Sequence, residues 1–115
     1  KSTYFFDIDG VIYENGSGFW DPKWGENKIF PEAKNKINEL HDEGNYIILV
    51  SSRPEKIRNE TEKQLKNDEI KYHQLILGLF HGTRILINDY SPTNTYPSAK
   101  AINTKRNSLD YIEKL

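Results

Sequence analysis

Cysteine is absent from this 115-residue chain, which removes a disulfide framework, a thiolate metal site and a cysteine nucleophile together. Long hydrophobic runs are absent as well. No stretch approaches the roughly 20 apolar residues that cross a bilayer, so no membrane partner is expected. A large excess of one charge is also missing: Lys and Arg number 16 against 17 Asp and Glu, for a net charge of -1. Such a balance gives no global field to draw long nucleic acid or anionic lipid, although a local basic groove stays open. Nucleic acid is therefore not the first expected partner. Lys1 to Phe6 is too short, and too soon followed by acids, to read as a secretory signal. With the lack of cysteine this favours a cytoplasmic protein, and the sequons at Asn15 and Asn59 read as chance.

What is present is an ordinary globular composition, 36% hydrophobic and 29% charged. The length suits a single domain over residues 1–115 with one modest core. Thr3 to Ile8 is an apolar run ending abruptly in acids and Gly10, which predicts a buried strand. Asn15 to Asn27, rich in Gly, Asn and aromatics, predicts a loop or small hairpin, and residues 13–28 as a whole a small flap over the site. Pro31 opens a helix carrying Ala33, Ile37 and Leu40 on one face, closed by Gly44. Tyr46 to Val50 has the unbroken apolar character of a strand buried on both faces. Pro54 starts a second helix with Ile57, Thr61 and Leu65 at helical spacing. Leu75 to Leu77 and Ile85 to Ile87 read as short strands, Ala99 to Ile102 as a last one, and Ser108 to Leu115 as a closing helix with Leu109, Ile112 and Leu115 inward. Strands alternating with helices predict an α/β fold: one Rossmann-like domain of three layers around a mainly parallel sheet.

In such sheets ligands bind beyond the carboxyl ends of the strands, which gathers the polar residues into one crevice. Asp7 and Asp9 follow the first strand, Ser51, Ser52 and Arg53 the second, and Asn88 and Asp89 the run at Ile85. Asp7-Ile8-Asp9-Gly10 places two carboxylates on one face of an extended chain, a repulsion that a divalent cation relieves. Gly10 permits a tight departure from the sheet, and a solvated strand-end turn explains the same residues. A calcium loop of the EF-hand kind does not fit, since a strand precedes the acids. Ser51 to Pro54, between strand and helix, offers a hydroxyl, free N–H groups and a positive helix end to an anion, with Arg53 as a forked contact. A plain serine cap on the helix is the alternative. Asp89 supplies a third oxygen side chain for a hard cation such as magnesium, or else ends a turn with Asn88, Ser91 and Pro92. The three histidines match no zinc spacing, and His81, in a Gly-containing loop, is kept as a substrate contact.

Phe5-Phe6-Asp7-Ile8-Asp9-Gly10-Val11-Ile12 closely resembles the first motif of the haloacid dehalogenase superfamily of phosphohydrolases. Ser51 and Asp89 resemble its second and fourth motifs, and the resemblance spans about residues 4–107. Ser51 to Glu55 with Arg58 and Thr61 also looks like a capless branch that includes polynucleotide phosphatase domains. The resemblance implies Asp7 as nucleophile, forming an aspartyl-phosphate, and Asp9 as the acid and then the base. It implies Mg2+ held by Asp7, the Asp9 carbonyl and Asp89, with Asn88 behind them, and phosphate bound by Ser51, Ser52 and Gly10. The family's third-motif lysine is missing from Leu77 to Thr83, and its acidic pair is Asn88-Asp89 here. Arg84 or Arg53 is expected to neutralise the phosphate instead.

No room remains for a sizeable cap between Asp9 and Ser52 or between Ser51 and Asp89. The aromatic loop with Phe19, Trp20, Asp21 and Trp24 lies just beyond the nucleophile, either to stack on a sugar or base or to pin itself to the domain. The expected function is magnesium-dependent hydrolysis of a phosphorylated sugar or related metabolite. A polynucleotide or nucleotide phosphatase, and a catalytically weak phosphate-binding regulatory module, are the alternatives. Self-association into a homo-oligomer stays open.

Overall fold

The computed structural model describes residues 1–16, 24–25, 27–93 and 97–115. It is a small α/β structure in the order β1 (Thr3–Asp7), α1 (Pro31–Asp42), β2 (Tyr46–Val50), α2 (Arg58–Asn67), β3 (Gln74–Ile76). The three strands are parallel in the order β1-β2-β3, which puts β2 at the centre. That position accounts for its sequence, since Ile47, Ile48, Leu49 and Val50 are all buried. Register pairs Asp7 with Val50, and Val50 with Ile76, so all three strands end on one edge. Residues leaving the strands at Asp7, Ser51 and Leu77 therefore start from neighbouring points.

Pro31 occupies the first turn of α1, where its missing N–H costs nothing. Ala33, Ile37 and Leu40 recur on its buried face. The helix ends in a Schellman arrangement: Gly44 (φ +93°) donates to the His41 carbonyl, and Asn45 to that of Leu40. Ile37 and Leu40 join Phe6, Ile8, Ile12, Tyr13, Ile47, Leu49, Leu65, Leu75 and Leu77 in one hydrophobic cluster.

Four expected elements differ. The second helix begins at Arg58 rather than at Pro54, because Pro54 is extended (ψ 150°) and Ile57 closes a 3-10 turn back onto its carbonyl. The closing segment is a 3-10 turn, Asp110–Lys114, whose fully buried residue is Tyr111; Leu109, Ile112 and Leu115 pack only partly against the core. Ala99 to Ile102 forms no strand. Neither does Ile85 to Ile87: its apolar composition favours extended chain, but a strand needs an edge to pair with, and no described residue pairs with this run. The run lies in solvent, with Ile87 89% exposed, and the outer edge of β1 has no partner among the described residues. No helix among the described residues is long and apolar enough to cross a membrane.

Candidate active site at the carboxyl edge of the sheet

The chain turns sharply where β1 ends. Ile12 and Tyr13 both donate their N–H to the Ile8 carbonyl, and Gly10 (φ +90°) donates to that of Tyr13. A left-handed φ of this size suits glycine, so Gly10 is what lets Asp9 and Val11 diverge within one residue. Next to it a cleft of about 920 Å3 opens on the carboxyl edge of the sheet. Asp7, Asp9, Gly10, Ser51, Ser52, Arg53, His81 and Arg84 all line it, so the residues after β1 and β2 meet there, while the third region is 79–84 in place of the expected Asn88 and Asp89.

Asp7 and Asp9 stand in contrasting surroundings. The Asp7 carboxylate is 42% exposed, accepts the N–H of Ile8 at 2.9 Å, and has the Arg84 guanidinium 3.6 Å away. Burial pushes its carboxyl above the ordinary value of 3.8, against the opposing pull of Arg84. Asp9 instead is clamped. Arg53, 1% exposed, donates Nε and Nη2 to its two oxygens at 3.0 and 2.8 Å, the forked geometry guanidinium favours. Asn27 adds a third donor at 2.9 Å. Arg53 also donates to Thr61 (3.2 Å) and Gln64 (2.8 Å), and Gln64 donates to Asn27 at 3.1 Å. Asp9, Arg53, Gln64 and Asn27 thus close a ring that ties the end of β1 to α2 and to the base of the 13–28 loop.

Arg53, expected to meet phosphate, commits its donors to this ring. Thr61, read on a helical face and in the resemblance, and Gln64, which carried no expectation, prove to be its buried polar partners. A polar pair on an otherwise apolar helix stripe was the signal for them. The Ser51 hydroxyl accepts the Arg53 N–H at 3.0 Å, fixing the turn after β2 rather than capping a helix, and its oxygen lines the cleft. The Ser52 hydroxyl donates to the Phe80 carbonyl at 3.4 Å. Tyr13, wholly buried, donates to Asp68 at 2.6 Å, and burial holds its phenol well above the ordinary range.

Asn88 and Asp89 lie on the exposed stretch, outside the lining of the cleft; Asn88 donates to the Ser98 hydroxyl at 3.3 Å. Magnesium takes a near-octahedral set of oxygens. Among the described residues no three acids or histidines stand close enough to hold a metal ion, and Asp89, expected beside Asp7, lies outside the lining of the cleft. As arranged, the described residues do not bring Asp89 to Asp7, and the positive charge that faces Asp7 among them is Arg84. Of the aromatic loop, Trp24 lines the cleft, while Phe19, Trp20 and Asp21 lie outside the described residues. Arg106 and Asn103, which carried no motif, also line the cleft.

Fold and cleft define an α/β structure with a half-exposed carboxylate and a clamped one at the carboxyl edge of a parallel sheet. No family model matches the sequence, and no curated protein matches it. Among solved structures, a chain of the Pnkp1/Rnl/Hen1 complex is similar with a TM-score of 0.60 and 21% identity. That similarity covers 73% of this chain and 30% of the other, so the chain spans less than a third of the protein it matches there. A crystal structure of a Vibrio cholerae protein is similar with a TM-score of 0.62 and 14% identity, over 99% of this chain and 95% of that one. At such identities the likeness is one of fold.

Proposed function

We propose that this chain is a phosphomonoester hydrolase of the haloacid dehalogenase type, three-layered and without a large cap, whose nucleophile is Asp7. The observation that carries the reading is the pairing of a half-exposed carboxylate at the end of β1 with a guanidinium 3.6 Å away. A phosphate dianion cannot approach a carboxylate without positive charge between them, and Arg84 supplies it. A carboxylate oxygen of Asp7 attacks phosphorus, forming the acyl phosphate bond as the ester P–O bond breaks and the leaving oxygen takes a proton. Water then attacks phosphorus, the bond to Asp7 breaks, and inorganic phosphate leaves. For Asp9 to serve as the acid and base, its carboxyl group must turn out of the Arg53 clamp into the cleft.

The substrate we favour is a phosphorylated sugar or related cytoplasmic metabolite, with Trp24 placed to cover its ring. The second reading is a nucleotide or polynucleotide end. Its support is the Ser51 to Glu55 stretch together with the fold shared with a chain of the Pnkp1/Rnl/Hen1 complex. Magnesium, implied by the family resemblance, requires Asp89 to come to Asp7.

Phosphate release is measured from an aryl phosphate, sugar phosphates and a phosphate-ended oligonucleotide, each with magnesium or with chelator. Asp7→Asn is the paired control. Release that vanishes in Asp7→Asn supports the nucleophile, and the chelator arm decides whether magnesium is needed. A folded protein that releases nothing from any substrate overturns the hydrolase and leaves a phosphate-binding module.

A further inference from the structure

The cleft holds one arginine that the proposed hydrolysis does not use. Arg53 is spent on Asp9, and Arg84 faces Asp7. Arg106 also lines the cleft, is exposed, and donates to no described residue. Its position is nonetheless fixed. Asn107, in the left-handed region at φ 65°, donates its N–H to the Gly10 carbonyl at 2.8 Å. Its side chain brackets Asn15, accepting that N–H at 2.8 Å and donating to that carbonyl at 3.2 Å. These three bonds lay the Arg106 stem across the turn that follows Asp9, so closely that a Cβ on Gly10 would meet its Cγ at 3.2 Å. A long side chain held by its backbone and stem, with a free forked head over a cleft, is built to meet an anion.

Charge points the same way. Three arginines and two aspartates line the cleft among the described residues. The Arg53–Asp9 pair is internally neutral, and Arg84 answers Asp7, so Arg106 is the positive charge left over. A single phosphate on Asp7 is already met by Arg84.

Resting on the reading of Asp7 as nucleophile, we infer that Arg106 recognises a second anionic group on the substrate, so that the preferred ligand is a phosphomonoester bearing a further phosphate or carboxylate. Arg106 is then a specificity-determining residue and takes no part in bond breaking.

The test uses ligands that cannot be hydrolysed, titrated calorimetrically into the whole chain. Alkane bisphosphonates of increasing spacer length and a phosphonocarboxylate are compared with the single-ended alkylphosphonate. Arg106→Gln keeps the stem that packs on Gly10 and removes the charged fork. A charge-assisted contact of this kind makes about a ten- to hundredfold difference in affinity. The wild-type protein is expected to prefer a doubly anionic ligand by at least the lower figure. Arg106→Gln is expected to reduce that preference to the statistical advantage of two ends. Which ligand shows the preference tells phosphate from carboxylate. No preference in the wild type, or one that survives Arg106→Gln, overturns the inference while single-ended binding and aryl phosphate turnover leave Asp7 in place. Failure of every phosphonate to bind, together with no aryl phosphate turnover, overturns both, and failure to bind with turnover intact overturns the inference alone.

Discussion

Replacing Arg53 with Met removes a charge from a place where water cannot take over. The side chain is 1% exposed and its partner Asp9 13% exposed, so the carboxylate left behind loses a forked, charge-assisted contact and, among the described residues, keeps Asn27 as its side-chain donor. Removing one member of a buried ion pair costs about 3–5 kcal/mol, most of it the stranded charge. Asp9 reaches the cleft and retains one donor, so the lower end applies, about 3 kcal/mol. Thr61 and Gln64 each lose a partner in the same step, which argues against a smaller figure. For a domain of this length that is a fall in Tm of about 12 °C. Urea unfolding followed by tryptophan fluorescence gives the free energy directly, with an unchanged m-value as evidence that both variants unfold in one step. The double variant with Asp9→Asn separates the pair from the packing, because a stranded charge no longer exists there. It is expected to be more stable than the sum of the two single losses implies, by about 1.5 kcal/mol or more. A loss below about 1 kcal/mol for Arg53→Met, or strict additivity in the double variant, refutes the clamp.

Four further outcomes follow from particular residues. Asp7 has a raised carboxyl value in the folded state, so its ionisation costs stability in full above that raised value and not at all below the ordinary 3.8. Asp7→Asn should therefore raise the Tm near neutrality, with the gain fading as pH falls through the raised value and gone below 3.8; a difference constant across that range contradicts the assignment. The acid limb of kcat/KM should likewise lie above 3.8 and move higher in Arg84→Ala, because Arg84 pulls it down. The Ile47 N–H, fully buried, donates to His73 Nδ1 at 3.0 Å, so His73→Ala strands a donor at about 1–3 kcal/mol, and His73→Asn, which restores an acceptor there, should recover part of it. Equal losses for the two in urea unfolding would show the bond to be unimportant. Ile87→Ser should change stability by less than about 0.5 kcal/mol, since the side chain is 89% exposed; a loss of several times that would mean the run packs as a strand.

The parallel α/β order was legible because β2 is unbroken apolar sequence and α1 carries a regular stripe ended by Gly44, features fixed by local pattern. The meeting of Asp7, Asp9, Ser51 and Arg53 in one cleft was legible for a topological reason: parallel strands in register end together. The partner of Arg53 was not. An arginine after a strand beside two serines reads as an anion site, and only the fold reveals that Asp9 is the anion it meets. Thr61 and Gln64 escaped similarly, since buried polar residues at helical spacing look like part of an ordinary face. Ile85 to Ile87 shows the opposite error: composition alone suggested a strand, but pairing depends on an edge reaching it.

Arg106 was invisible for a further reason, since its place over the cleft is set by Asn107 and Gly10, nearly a hundred residues apart in sequence. The same pair of contacts links recognition to chemistry. Gly10 follows Asp9 and carries the Arg106 stem, while Asp9 hangs on Arg53 and, through Gln64 and Asn27, on the loop that contains Trp24. On the proposed reading, in which Asp9 leaves its clamp to transfer the proton, an anion that draws Arg106 toward it pulls on the turn holding Asp9. On that reading a substrate with two anionic groups loosens the ring of Asp9, Arg53, Gln64 and Asn27 more readily than a singly anionic one. In kinetic terms the second anion should raise kcat as well as lower KM, because binding energy remote from phosphorus is used to reach the reactive arrangement.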